Sequence, residues 1–279
     1  MGEPNRIYEA FNREAVYDLV FGHSTPTAIF RVGRTCQVAR RATQEYIYPF
    51  EFRVLQARTE MVVSGSSALQ FMDRMVYPQS DLDLYVAKDH AAQVCGWLPT
   101  EDGRGYRFVP SDRQIERGIL TAQLALRSHN TPMEYILSFH STVVMNVITY
   151  RAAYSFYPKG TFEEGLMLPC DTREVNHDSG IEKYKARGWT VTHFAAEPFS
   201  DPEEHAFVLG KRWVDDSSSW MILFNDCSRI LRHAGIPTKN IERVVDPITL
   251  NSFSLVRNRA RGLVEMQFSV VKPGFFQNR

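Results

Sequence analysis

The stretch from Val62 to Val86, VVSGSSALQFMDRMVYPQSDLDLYV, constrains the fold more than any other part of the chain. A short run rich in β-branched residues, Met61 to Ser64, is stopped by glycine, which suits a buried strand. Behind it Ala68, Leu69, Met72 and Val76 recur at helical spacing, with Ser66 or Ser67 placed to cap that helix. Tyr77-Pro78-Gln79-Ser80 reads as a turn. Residues 81–86 then alternate polar and apolar, the period of a half-buried strand. Strand, helix and strand in such close succession predict an α/β or α+β domain on a mixed sheet.

The same stretch carries the chemistry. A strand that ends in Gly-Ser and passes straight into a helix gathers unpaired N–H groups, the positive helix end and a hydroxyl at one point, which suits a phosphate. Gly65, Ser66 and Ser67 are therefore candidate nucleotide-binding residues. Alternate strand positions share a face, so Asp81 and Asp83 project together, about 6–7 Å apart along the backbone. They interrupt Leu82, Leu84, Tyr85 and Val86, which puts them at the mouth of a buried strand. Two like charges so close repel unless neutralised, and Mg²⁺ or Mn²⁺ answers that need. Arg74 and Lys88 flank the segment as candidate contacts to a phosphate tail, and Tyr85 and Tyr135 are rings that suit either a stacked base or the core.

Gly65-Ser66, the helix, and Asp81-Leu82-Asp83-Leu84 entering a strand together resemble the signature of the nucleotidyltransferase superfamily, which includes DNA polymerase beta, poly(A) polymerases and aminoglycoside nucleotidyltransferases. Across its length the chain is also similar to a group of fungal proteins that carry this signature. The resemblance implies a nucleotidyltransferase-like mixed sheet, a nucleoside triphosphate at the Gly-Ser turn, Mg²⁺ or Mn²⁺ on Asp81 and Asp83, and transfer of a nucleoside monophosphate to a hydroxyl acceptor. Fourteen residues separate Ser66 from Asp81, which asks for one extra helical turn or a longer loop than the family pattern has.

In that family a third carboxylate comes from a later strand, and here Gln123 stands in the corresponding place. Glutamine can orient a water or ligate weakly, but it cannot act as a base near neutral pH. Glu116 and Glu134 are carboxylates displaced from that position. His140 stands where related transferases have an aspartate after phenylalanine, and an imidazole there would bind phosphate or position a hydroxyl. The missing carboxylate leaves a second reading open, a nucleotide-binding pseudoenzyme or scaffold.

Three regions are expected: helical residues 1–57, a nucleotidyltransferase-like core over 58–160, and a smaller, β-rich C-terminal α/β lobe over 161–279. Ile7, Phe11, Val16 or Tyr17, and Val20 follow one helical face; Ile29, Val32, Cys36 and Ala39 follow another, with Arg31, Arg34, Arg40 and Arg41 largely opposite. Residues 28–42 resemble the second half of an F-box, which gives a third reading, a substrate adaptor. Further on, the pattern predicts a helix over 89–98, strands over 106–109 and 119–126, a helix after Pro132, and an apolar element of either type over 141–150. Short helices are expected over 161–168 and 179–188, with strands opening at Trp189, Phe207, Ser219, Ser252 and Val264. So few strands cannot bury themselves, so the lobe should pack on the core and wall one side of the cleft.

Lys plus Arg equals Asp plus Glu at 32 each, so the summed field does not draw in a polynucleotide. That balance favours a protein or small-molecule acceptor over a long nucleic acid. No apolar run reaches the roughly eighteen residues of a membrane span, and the start lacks a secretory apolar core, which points to the cytosol or nucleus. Gly2 is not followed by the hydroxyl residue at position 6 that acylation would need. The four cysteines form no C-x-x-C pair and read as reduced, mostly buried thiols.

Overall fold

The computed structural model describes residues 6–24, 26–75, 77, 80–100, 122–125, 131–170, 177–236, 246–258 and 263–271. Four helices open the chain: α1 (Arg6–Phe11), α2 (Glu14–Gly22), α3 (Pro26–Val32) and α4 (Gln37–Ile47). They share a small core of Tyr17, Phe21, Ile29 and Ala42. The next helix, α5 (Phe50–Thr59), belongs elsewhere. Its Phe52 and Leu55 enter the main core, while buried Arg53 and Gln56 donate to the carbonyls of Tyr150 and Ile148 at 2.9 and 3.0 Å. The separate helical unit therefore ends near residue 47, not 57, because α5 closes the turn that leads out of a central strand.

The strands are β1 (Val62–Ser64), β2 (Leu82–Tyr85), β3 (Ala122–Ala125), β4 (Asn146–Ile148), β5 (Ala152–Ser155), β6 (Leu166–Met167), β7 (Thr190–Val191), β8 (Gly210–Trp213), β9 (Trp220–Leu223), β10 (Ser252–Asn258) and β11 (Leu263–Ser269). Between them lie α6 (Gly65–Asp73), α7 (Ala91–Trp97), α8 (Pro132–Ile136), α9 (His177–Ala186) and α10 (Cys227–His233). Six strands form a mixed sheet in the order β3-β2-β1-β4-β5-β9, parallel only between β2 and β3. The order β11-β10-β8 gives a second, antiparallel sheet, and β6 pairs with β7.

Alternation along the strands splits the main sheet into two apolar faces. Val62, Tyr85, Val147 and Tyr154 lie on one, where Met133, Tyr135 and Ile136 of α8 and Phe253, Leu255, Val264 and Met266 of the second sheet cover them. Val63, Leu84, Ile148 and Ala153 lie on the other, against α5, α6 and α7 through Phe52, Leu55, Ala68, Met72, Ala91 and Val94. The fold is thus α+β, with the central sheet covered on both sides.

This arrangement corrects the division at residue 160. The segment 161–279 is not a lobe beside the core, since β9 completes the central sheet, α10 packs on α5, and β10 and β11 fill one face. Other expectations shift locally. The 141–150 stretch is a 3₁₀ turn (Thr142–Val144) leading into β4, and 161–168 holds a π-helical turn (Lys159–Glu163) and β6 in place of an α-helix. The strand expected over 106–109 lies outside the described residues. All four cysteines are free, but only Cys170 is buried and Cys36 is exposed. Among the described residues no helix is long and apolar enough to cross a membrane.

The start of α8 is a reciprocal cap. Thr131 Oγ1 accepts from the Glu134 N–H and Glu134 Oε2 accepts from the Thr131 N–H, both at 3.2 Å, with Pro132 at the first helical position. Thr131→Ala should therefore cost about 1 kcal/mol of stability. Chemical denaturation checks this, and Thr131→Ser should recover most of the loss.

Candidate functional site at the first strand–helix junction

Ser64 ends β1 opposite Asp83 in the antiparallel β1/β2 pair, and the helix begins at the next residue. The N-cap is thus Ser64, two residues before the earliest position expected. Its buried hydroxyl makes no capping bond but donates to the Asn146 carbonyl at 2.6 Å. Gly65 adopts φ +62°, in the left-handed region, and a Cβ there would fall within 3.0 Å of Asp83 Oδ2 and 3.2 Å from its Cγ. Glycine is required twice, by the backbone angle and by the carboxylate pressed against it.

The Ser66 N–H, at the start of α6, donates to the Asp83 carboxylate. Ser66 is buried, and its carbonyl accepts from Gln70 Nε2 at 3.1 Å. Ser67 donates its hydroxyl to the main-chain carbonyl of Asp81 at 2.8 Å, so this side chain ties α6 to the entrance of β2. Hydrogen bonds from the Ser66 N–H to Asp83 and from the Ser67 hydroxyl to Asp81 tie the turn to the aspartates.

Burial, and then the neighbouring Asp81 carboxylate, push the Asp83 carboxyl up to about 6; the Ser66 N–H and the Lys183 ammonium pull the other way. The carboxylates suit a divalent cation, which would relieve both causes of that rise. Gln123 stands beside Asp83 in the parallel β2/β3 register. Among the described residues no cluster of three or more acidic, histidine or cysteine side chains forms.

Several expected contributors lie elsewhere. Arg74 caps the far end of α6 at φ +56°, about 13 Å along the axis from Gly65. Lys88 is exposed beyond the C-terminal end of β2, whereas the aspartates mark the N-terminal end. His140 is bound through Nδ1 to Ser141 Oγ at 2.9 Å and is packed against α9, where a Cβ on Gly180 would fall within 3.0 Å of its ring. Tyr85 and Tyr135 are buried against each other at 5.7 Å, as core rings with no face open to a base. Glu134 is the helix cap described above, and Glu116 lies outside the described residues.

The helix α9 matches the short helix expected over 179–188, but the sequence reading did not bring it, or the residue after it, to the aspartates. Lys183 lies near enough to Asp83 to act on its charge, and Asp83 in turn acts on the buried Tyr184 hydroxyl. Arg187 stacks its guanidinium over Tyr77 at 4.2 Å and Tyr184 at 5.2 Å, and its Nη2 donates to Ser80 Oγ at 3.3 Å. The signal was a Lys-Tyr-x-x-Arg spacing on a short helix, which puts all three within one turn. Nothing in the pattern ties that turn to a site a hundred residues earlier. Comparison of the chain with models of known protein families, with curated proteins and with solved structures returns no match.

Proposed function

We propose that this protein binds a nucleoside triphosphate with a divalent cation at the Gly65–Asp83 junction, and that it is a nucleotidyltransferase-like protein acting on a hydroxyl of a protein or small-molecule acceptor. The supporting observation is the apposition of Gly65 and Asp83: a left-handed glycine opens a helix against a carboxylate that a second carboxylate accompanies. Asp81 and Asp83 would hold Mg²⁺ or Mn²⁺, which when bound supplies charge neutralisation for phosphate oxygens. Gly65 allows the close approach, and the Ser67 hydroxyl fixes the register of the aspartates relative to α6. In transfer the acceptor oxygen attacks the α-phosphorus, the bond to the β-phosphate oxygen breaks and pyrophosphate leaves. The hydroxyl proton passes to water, since Gln123 cannot take it.

That glutamine, in register beside Asp83, favours a second reading, in which the site binds nucleotide without turning it over. Thermal melting with Mg²⁺ or Mn²⁺ and each nucleoside triphosphate, run beside a pyrophosphate assay, tests both. At a ligand concentration a hundredfold above Kd the melting temperature should rise by about 5 °C. Joint replacement of Asp81 and Asp83 by asparagine should abolish that rise. Pyrophosphate release by the wild type supports transfer. Binding without release, in both the wild type and Gln123→Glu, supports the pseudoenzyme or scaffold. With no nucleotide stabilisation at all the proposal fails, and the F-box-like adaptor reading of α3 and α4 takes its place.

A further inference from the structure

The Ser66 N–H that a phosphate would use at the start of α6 is already taken by Asp83, and the Ser67 hydroxyl by Asp81. Phosphate charge therefore needs another donor close to the aspartates, and Arg74 and Lys88 stand past the far ends of α6 and β2. Arg187 meets the requirement. Its Nη2 bond to Ser80 Oγ places the guanidinium one residue before Asp81 in the chain. Tyr77 and Tyr184 hold its plane between them, and the Tyr77 hydroxyl is itself bound to Asp73 Oδ2 at 3.1 Å. Such clamping removes most of the rotamer freedom that an arginine would otherwise lose on gripping a ligand. Nη1 is buried, and the guanidinium donates to the Tyr184 hydroxyl oxygen. No carboxylate pairs with Arg187 among the salt bridges of the described residues. A half-buried cation held by neutral hydroxyls and aromatic faces, with no carboxylate to neutralise it, suits an oxyanion.

We infer that Arg187 is the polyphosphate-recognition residue of this protein: its guanidinium, clamped by Tyr77, Tyr184 and Ser80, takes the terminal phosphates of the nucleotide while Asp81 and Asp83 take the cation. Lys183, one turn earlier on α9, adds a second positive charge on the aspartate side. The inference rests on the nucleotide-binding reading above, but its chemistry does not depend on a base or on turnover. The ligand class is an inorganic or nucleotide-borne polyphosphate.

The test uses the full chain and inorganic tripolyphosphate, which carries no base, titrated calorimetrically with Mg²⁺ present. Mn²⁺ affinity is measured separately by electron paramagnetic resonance. Three variants are compared with the wild type: Arg187→Gln, Arg187→Lys, and Lys185→Gln as a control on an exposed lysine paired with Glu182. Arg187→Gln should bind tripolyphosphate at least tenfold more weakly, with Mn²⁺ affinity unchanged. Should the loss of packing on Tyr77 and Tyr184 unfold Arg187→Gln, the lysine variant carries the test. It keeps the charge but loses the planar fork, and an at least threefold weakening is expected. Lys185→Gln should bind as the wild type does. Wild-type affinity in the folded Arg187 variants overturns the inference, as does a wild type that binds Mn²⁺ but no tripolyphosphate. Arg187-dependent tripolyphosphate binding without nucleoside preference or pyrophosphate chemistry sustains it while the transferase reading falls.

Discussion

Gly65→Ala is expected to lower the unfolding free energy by about 3 kcal/mol or more and to remove nucleotide stabilisation with it. Two independent costs add. An L-residue at φ +62° pays roughly 1–2 kcal/mol for the left-handed conformation. The new methyl would also occupy the space of Asp83 Oδ2, so the carboxylate must swing away from the Ser66 N–H, at about 1–3 kcal/mol for a buried group left unsatisfied. The parts separate in a double-mutant cycle measured by urea denaturation. Asp83→Ala clears the space without changing the backbone angle, so in that background Gly65→Ala should cost only the conformational share. If the two substitutions simply add, contact with Asp83 is not what demands glycine, and the site loses its defining feature.

The second large effect depends on pH. Asp83 in the folded chain holds its proton up to about 6, while the unfolded chain releases it near the ordinary carboxylate value of 3.8. Between those limits the folded state binds more protons, so this group's contribution to stability falls as pH rises from 4 to 6. The loss is complete above that window and amounts to about 3 kcal/mol. Asp83→Asn cannot ionise, yet its amide oxygen can still accept from the Ser66 N–H. Unfolding free energies of the variant and the wild type should therefore coincide near pH 4. At pH 7.5 the asparagine protein should be more stable by about 2–3 kcal/mol. Excess Mn²⁺ should narrow the gap by stabilising only the wild type. A difference that stays constant from pH 4 to 8 would show that charge at Asp83 is not the cause.

Local chemistry was legible in the sequence where periodicity and special residues agree. Gly65 between a β-branched run and a helical one, and Asp81-Leu82-Asp83 in alternation, already fixed a strand–helix junction beside two carboxylates. Gln123 as the neighbour of Asp83 follows from the family resemblance and not from the strand pattern, and the β2/β3 register puts the two side by side. Contacts made over long sequence separation could not. Trp220 to Leu223 reads equally well as part of a small lobe or as an edge of the main sheet, since strand pattern carries no address for its partner. Arg74 and Lys88 stand near the aspartates in sequence, but a helix and a strand carry their side chains to the far ends of those elements. Arg187 is distant in sequence and close in space. His140 drew attention as a titratable side chain, and its surroundings turned out to be the packing of α9.

The aromatic layer around Arg187 has an optical consequence. Trp189 lies edge-on to Tyr77 and Tyr184, with ring centroids at 6.3 and 6.0 Å, and its indole N–H is committed to the Thr161 carbonyl at 2.8 Å. Trp213 and Trp220 are more exposed, and Trp220 stacks on Phe162, which packs against the cluster that holds Trp189. A polyphosphate gripped by the guanidinium held at these tyrosines would change the surroundings of the buried indole. Emission from Trp189 therefore belongs on the blue side of the spectrum, shielded from aqueous quenchers such as iodide. If Arg187 takes a polyphosphate as inferred, Trp189 intensity should change on titration, and replacing the other three tryptophans by phenylalanine isolates that signal without a label.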